Sequence, residues 1–218
     1  VHLLWSNRIN NYHDVGASFI QTVPPLFPRK IIPHRVTVQI FGNNQYIVLI
    51  TMQIKKFNNE RELDNWVESN IEKFFGKDII FIKGEHFIYT KRDKGGKPDG
   101  FVLDLENSSW TIIENELIAH GVWEHIAEQI MRFIVASKSS RTQKTIRDLF
   151  LNEIENQELI SNLSTELKVS ESRIFQKIEN IIEGQIPDIA IFIDDVNEDL
   201  QDMVDALNAT VKVFRVQK

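Results

Sequence analysis

The sequence contains no cysteine among its 218 residues. This absence excludes a disulfide-stabilised scaffold, a thiol nucleophile and a zinc site with cysteine ligands. Apolar runs are also short, and none approaches the roughly 20 residues that a membrane-spanning helix needs, so no membrane partner is expected. The start, Val1 to Ser6, has neither an initiator methionine nor a secretory signal pattern, which indicates a processed or excised piece. Without disulfides or a secretory pattern, a cytoplasmic location is the expectation.

Basic residues are fewer than acidic residues in this sequence. Lysine and arginine number 25 against 31 aspartates and glutamates, which gives a net charge of −6. This balance argues against a protein that coats nucleic acid by its bulk charge. The apolar fraction of 42% and the charged fraction of 26% fit one ordinary globular domain with a small appendage.

The pattern changes along the chain after an irregular, proline-containing start. Two alternating apolar runs, residues 36–41 and 46–52, flank Gly42-Asn43-Asn44 and predict a β-hairpin. We expect residues 1–56 to form an N-terminal region of irregular segment plus hairpin, and residues 57–218 to form the main domain. In that domain strands alternate with helices, which indicates an α/β sandwich.

Caps and spacing set the expected elements of the main domain. Asn59 with Glu62 three residues later predicts a helix start, and Gly76 suits its end. The expected strands cover residues 79–82, 86–89, 101–105, 110–117, 187–193 and 211–216, and the further helical segments cover 119–137, 142–167, 170–182 and 198–207.

Two carboxylates stand two residues apart at the end of an otherwise apolar strand. Side chains alternate along a strand, so Glu114 and Glu116 share one face. Ionised neighbours there repel each other and lose hydration, and a bound divalent cation would offset both effects. The turn at Asn107-Ser108 brings Asp99, which opens the preceding strand, beside Glu114. Three converging carboxylates predict a site for a hard, oxygen-seeking ion such as Mg²⁺.

The order Pro98-Asp99, a short strand, then Glu114-Asn115-Glu116 resembles the PD-(D/E)XK nuclease superfamily. That superfamily has Pro-Asp followed by Glu-x-Lys on the next strand. Glu116 stands in place of the lysine, as in a Glu-x-Glu variant found among type II restriction enzymes. The resemblance covers roughly residues 57–218 and implies a restriction-endonuclease-like mixed sheet flanked by helices.

The resemblance also implies a metal site and its ligands. Mg²⁺, or alternatively Mn²⁺, would be held by Asp99, Glu114, Glu116 and the backbone carbonyl of Asn115. Without the lysine, two roles stay open for Glu116: coordination of the metal, or general-base activation of the attacking water.

Two further residues are assigned by resemblance to helices on either side of the hairpin. Members of the superfamily carry a carboxylate on the preceding helix, and we assign it to Glu60, with Glu62 as the helix cap. The following helix in one branch carries Gln-x-x-x-Tyr, which is matched here by Gln129, with Phe133 in place of tyrosine.

The implied activity is that of a Mg²⁺-dependent DNA endonuclease of the restriction, repair or recombination type. The missing lysine keeps a second interpretation open, a catalytically inactive nuclease-fold module that binds nucleic acid or protein. Since nucleases of this fold often cut two strands as dimers, a homodimer involving the hairpin of residues 35–52 is a further expectation.

Histidines and basic residues near the candidate site are interpreted separately. His120 and His125 are five apart on an expected α-helix, which places them on different faces and predicts structural or surface roles instead of a metal pair. Because His120 follows Glu116 closely, a role near the phosphate stays open for it. Two basic groups bracket the candidate metal site and are interpreted as phosphate contacts. They are Lys91, Arg92, Lys94 and Lys97, and Lys138, Arg141, Lys144 and Arg147.

Overall fold

Strands and helices alternate in the computed structural model, which describes residues 56–76, 78–92, 94–156, 159–207 and 210–216, and the backbone of residues 35–41 and 45–51. The irregular start predicted before the hairpin lies outside the described residues. In chain order the strands are β1 (Arg35–Phe41), β2 (Gln45–Thr51), β3 (Ile79–Lys83), β4 (Ile88–Tyr89), β5 (Gly95–Gly96), β6 (Gly100–Asp104), β7 (Ser109–Glu116), β8 (Asp188–Ile193) and β9 (Val211–Arg215).

Helices connect these strands and cover both faces of the sheet. Among the described residues, no helix combines the length and the apolar character needed to cross a membrane. In chain order the helices are α1 (Glu60–Asn70), α2 (Glu72–Phe75), α3 (Ala127–Ser137), α4 (Ser140–Asn156), α5 (Ile160–Leu167), α6 (Glu171–Gly184) and α7 (Glu198–Ala206).

The main sheet is mixed, with the strand order β1-β2-β9-β8-β7-β6-β3. Strands β7, β8 and β9 run parallel, whereas β6 is antiparallel to both β3 and β7. The predicted α/β class with a helix-flanked mixed sheet is therefore confirmed. The hairpin of β1 and β2 is also confirmed as antiparallel, and β2 continues the sheet beside β9. The division of the chain at residue 56 stays a prediction.

Strand β8 is buried on both faces, as its continuous apolar run predicts. Ile189 and Ile191 point into a core cluster with α3, α4, α6 and α7. Ala190 and Phe192 point to the opposite face and pack in a second cluster with α1 and α2. The parallel strands in the middle of the sheet are thus covered by helical layers on both sides.

Phe192 joins an aromatic group at the centre of the second cluster. Its ring stacks on Phe214 at a centroid distance of 4.9 Å and meets Phe74 edge-on at 4.8 Å. Because the side chain is fully buried, we expect Phe192→Ala to lower the free energy of unfolding by about 3–5 kcal/mol. Urea unfolding measures this loss. Phe87→Ala, which truncates an exposed ring, is the matched control and should cost less than about 1 kcal/mol. Equal losses would contradict this packing.

The start of α1 follows the predicted cap with one difference. The Asn59 side-chain oxygen accepts a hydrogen bond from the Glu62 backbone N–H at 3.0 Å. The Glu62 carboxylate reaches back to the Asn58 backbone N–H at 2.8 Å, one residue before the expected partner. Satisfying these N–H groups fixes the helix start beside the sheet.

The segment expected as one long helix over residues 119–137 is divided, so that prediction is wrong over residues 119–126. A 3₁₀ turn covers Ile118–His120, and a π-helical turn covers Val122–Ile126 before α3 begins. Gly121, between the two turns, has φ of +81°, a left-handed backbone conformation that glycine adopts without strain. A regular helix cannot continue through that residue.

Two other expected elements are shorter than predicted. The strand predicted over residues 86–89 is reduced to β4, which pairs with β5 in a separate two-stranded sheet. The loop expected between strands at residues 91–97 therefore contributes β5 itself. The helical stretch predicted over residues 142–167 is divided into α4 and α5.

Candidate functional site

The β6–β7 hairpin brings Asp99 next to Glu114, as the short turn predicts. Gly100 pairs with Ile113 in the antiparallel register. The Asp99 backbone N–H donates to the carbonyl of Ile113 at 3.0 Å. The Asn115 backbone N–H donates to Asp99 Oδ2 at 2.7 Å, which fixes the orientation of the carboxylate. Asp99 is thus held at the point where β6 begins.

Glu114 and Glu116 lie on one face of β7 and are 2% and 1% exposed. Glu114 Oε2 and Asn115 Oδ1 are buried and have no hydrogen-bond partner. An unpaired, buried carboxylate oxygen carries a large desolvation penalty. A cation beside Glu114 would satisfy its unpaired carboxylate oxygen.

Helix α1 supplies two more carboxylates to the same region. Asp64 Oδ1 accepts a hydrogen bond from Asn115 Nδ2 at 3.0 Å, and Glu60 Oε1 lies 2.7 Å from His120 Nδ1. The Glu60 side chain is 45% exposed, and its assignment as a site carboxylate stays a prediction. The carboxylate that reaches β7 from α1 is Asp64. The spacing of four residues between Glu60 and Asp64 was the available sequence signal for it.

The pKa of Asp99 reflects this concentration of acids. Burial raises the pKa of the Asp99 carboxyl from 3.8 to about 7, opposed by the hydrogen bond from Asn115. The negative charges of Asp64, Glu116 and Glu60 contribute to this rise after burial. Carboxylates from α1, β6 and β7 therefore act on one another electrostatically.

The two glutamates of β7 respond in the same direction. Burial raises the pKa of Glu114 well above its ordinary value, and the charge of Asp99 adds to the rise. Burial also raises the pKa of Glu116, although the hydrogen bond with His120 and the charge of His125 oppose this. Both shifts disfavour the ionised forms in the absence of a compensating cation.

His120 and His125 both contact Glu116, so the prediction that they lie on different faces is wrong. His120 Nδ1 lies 3.1 Å from Glu116 Oε2, and His125 Nε2 lies 3.1 Å from Glu116 Oε1. The reason is the π-helical turn. The Ile126 backbone N–H donates to the carbonyl of Gly121, five residues earlier, so this segment is wound more widely than an α-helix. Residues five apart then reach the same carboxylate.

A cleft of about 250 Å³ opens beside Asp99 on the α1 side of the sheet. Asp64, Asn115, Lys83 and Lys97 also line it. Lys83 is paired with Glu68 at 2.5 Å at the cleft wall. The cleft therefore presents the carboxylates of Asp64 and Asp99. It also presents Lys97, the residue that directly precedes the Pro-Asp motif.

Gln129 lies in the first turn of α3, and its role stays a prediction. Its side-chain oxygen is buried and has no hydrogen-bond partner. No hydrogen bond of this oxygen therefore connects Gln129 to the acidic residues. Phe133, four residues later, is fully buried and packs against Gly96 of β5. The Phe133 ring is therefore part of the core.

The structure gathers part of the two predicted basic groups into one depression of about 670 Å³. Met131 and Val135 of α3 line it alongside the cations. The cationic lining residues, together called the basic depression, are Lys91, Arg92, Lys94, Arg132 and Lys138.

Arg147 does not belong to this surface, which corrects its assignment as a phosphate contact. Its guanidinium pairs with Asp148, Glu179 and Glu183 at 2.9, 3.2 and 2.7 Å. These carboxylates come from α4 itself and from the neighbouring α6. Arg147 therefore stabilises the packing of two helices.

Comparisons of the chain with protein-family models, with curated proteins and with solved structures give no match. The functional interpretation therefore rests on the geometry of the site and on the resemblance of its motifs.

Proposed function

We propose that the chain is a metal-dependent DNA endonuclease of the PD-(D/E)XK type with a Glu-x-Glu variant motif. The observation that carries this proposal is the pairing of Asp99 with Glu114 across the buried hairpin, facing the carboxylates of α1. A purely structural role does not account for this group of acids, since burial and the neighbouring negative charges raise the pKa of both Asp99 and Glu114.

Residues of the hairpin suit a hard divalent cation. Asp99, Glu114, Glu116 and the Asn115 backbone carbonyl would hold Mg²⁺ or Mn²⁺ through oxygen ligands. Such an ion, when bound, polarises the scissile phosphate and lowers the pKa of its water ligand. Two hydrogen bonds orient carboxylates of the site before an ion binds. The Asn115 backbone N–H donates to Asp99, and the Asn115 side-chain amide donates to Asp64.

Glu116 is better suited to coordination than to free general-base action. Both of its oxygens already face an imidazole nitrogen, at 3.1 Å each. A carboxylate engaged on both sides is poorly placed to accept a further proton from water. Lys97, at the cleft beside Asp99, supplies a cation for a phosphate oxygen near the scissile bond.

DNA is the proposed partner in spite of the net charge of −6. The basic depression concentrates positive charge on one side of α3, where phosphates can bind locally. Glu128 lines that depression and Gln129, the next residue, lies where α3 begins after the histidine turn.

A catalytically inactive nuclease-fold module is the second candidate function. The observation in its favour is that β7 carries Glu116 instead of the lysine of the motif, and that histidines engage this glutamate. Such a module would bind DNA or protein without cleaving the phosphodiester. The homodimer stays a prediction in both cases.

Metal removal is expected to abolish cleavage completely. Labelled single-stranded and duplex DNA would be incubated with the full chain and Mg²⁺ or Mn²⁺, with and without a chelator. Product should form only with the metal, and re-addition of the metal should restore it. Cleavage at full rate in chelator would contradict the proposal. No cleavage at all, with metal binding intact, would favour the inactive module.

A further inference from the structure

A group of nitrogen and oxygen donors lies at the carboxyl end of β7, beside the acids described above. Glu116, His120 and His125 each offer one ligand atom, and these atoms all lie within 4.8 Å of one another. We propose that these three residues bind a first-row transition-metal dication of the Zn²⁺ class, at a site that shares Glu116 with the proposed Mg²⁺ ligands and adds two imidazoles to it.

Spacing within the group suits metal coordination. The two imidazole nitrogens lie 3.1 Å from the two oxygens of Glu116. Bonds of about 2.1 Å to a common ion separate neighbouring ligands by about 3.0 Å in octahedral and about 3.4 Å in tetrahedral geometry. The rings of His120 and His125 are nearly perpendicular, at 84°, with centroids 5.7 Å apart. The ligand atoms lie within 4.8 Å of one another, and a closer approach would direct both nitrogens at one ion.

The donor types determine which ions are preferred. Mg²⁺ favours oxygen ligands and retains its waters, whereas imidazole suits Zn²⁺ and its first-row neighbours. Glu60 Oε1 lies 2.7 Å from His120 Nδ1, so a further oxygen is available at the same nitrogen. Two imidazoles with one or two carboxylates form a donor set typical of Zn²⁺ sites.

The three proposed ligands differ in solvent exposure, which suits a metal site with one coordination position open to solvent. Glu116 is 1% exposed, whereas His120 and His125 are 37% and 46% exposed. The ion would be anchored on the buried carboxylate and reached by solvent from the histidine side. Glu114, on the same face of β7, has a buried oxygen without a partner, which is an independent sign that a cation belongs nearby.

The local backbone supports a functional role for the turn. The positive φ of Gly121 and the π-helical turn after it direct His120 and His125 towards one carboxylate. π-helical turns are rare and are found frequently at functional sites. In a continuous α-helix the two rings would lie on different sides.

This inference goes beyond the proposed endonuclease activity, and it is tested with metal alone. The full chain would be titrated with Co²⁺, whose visible absorption bands report nitrogen and oxygen coordination, and the bound Co²⁺ would then be displaced with Zn²⁺. We expect His120→Ala and His125→Ala each to weaken Co²⁺ affinity by at least about 10- to 100-fold. Far-UV circular dichroism would check that the variants fold, which is expected because both rings are partly exposed.

Two control variants separate this site from others. His86→Ala removes a histidine that precedes β4 in the sequence and is not one of the proposed ligands. This variant should leave Co²⁺ affinity unchanged. Asp99→Asn should impair cleavage while it retains the Co²⁺ absorption bands. Cleavage therefore tests the nuclease proposal, and the Co²⁺ bands test the proposed metal site independently. Co²⁺ affinity that is unchanged in the His120→Ala/His125→Ala double variant, or no Co²⁺ binding by the wild type, would overturn the inference.

Discussion

Asp99→Asn and Glu114→Gln are each expected to lower metal-dependent DNA cleavage by on the order of 10³-fold or more. Each substitution keeps the shape of the side chain and removes one negative charge from the proposed metal ligands. Loss of several kcal/mol of charge stabilisation in the transition state corresponds to a decrease of this size. The measurement is the single-turnover cleavage rate at saturating Mg²⁺ with the substrate that the wild type cuts.

Glu106→Gln is the matched control for these variants. Glu106 is exposed in the turn of the same hairpin, so its substitution changes the same charge without touching the buried acids. We expect the control to cleave at a rate close to that of the wild type. Circular dichroism and thermal unfolding would establish that the Asp99 and Glu114 variants fold. Full activity in a folded Asp99→Asn or Glu114→Gln protein would contradict the assignment of ligands.

The metal-free protein is expected to lose stability as the pH rises from about 4 to about 7. Burial raises the pKa of Asp99 in the folded state to about 7, against 3.8 for the ordinary carboxyl. Between these values the folded state binds more protons than the unfolded state, so the free energy of unfolding falls with pH. At pH values below both pKa values Asp99 does not change the free energy of unfolding, and at pH values above both its destabilising effect is complete.

The expected size of this effect is large enough to measure. Between pH 5 and pH 8 the contribution of Asp99 amounts to about 2–3 kcal/mol of lost stability. Denaturant unfolding in chelator would compare the wild type with Asp99→Asn, which cannot ionise and should lack this part of the pH dependence. Glu106→Gln should retain it. Identical pH profiles for the wild type and Asp99→Asn would show that Asp99 does not titrate in this buried environment.

The hairpin half of the site was predictable because its geometry is local. A turn of a few residues and the alternation of side chains along β7 suffice to place Asp99 beside Glu114 and to put Glu116 on the same face. The two-sided burial of β8 was predictable for a similar reason, since its apolar run has no polar face. Short-range rules therefore account for the β6–β7 hairpin, for the two-sided burial of β8 and for the shared face of Glu114 and Glu116.

The rest of the site depends on packing between distant segments, which periodicity does not report. Choosing between Glu60 and Asp64 requires the rotation of α1 over the sheet, because both lie in its first half and differ by one turn. Assigning Arg147 requires the packing of α4 on α6, where carboxylates more than 30 residues away in the sequence approach it. These placements are decided by tertiary contacts.

The histidines show a third limitation, which concerns the local helix type. Periodicity assumes 3.6 residues per turn, and on that assumption His120 and His125 diverge. The positive φ of Gly121 and the π-helical turn after it replace that period with a wider one. A glycine directly after His120 was the only sign in the sequence that the helix does not start there.

Calorimetric titration of the full chain with Mg²⁺ and Mn²⁺ tests the central claim most directly, which is that the buried acids of the β6–β7 hairpin form a cation site. The wild type and Glu106→Gln are expected to bind the ions, and Glu114→Gln is expected to lose that binding while it stays folded. The titration would be repeated with DNA present, since phosphate oxygens complete many such sites. Metal binding by folded Glu114→Gln equal to that of the wild type, or no binding by the wild type with or without DNA, would contradict the claim.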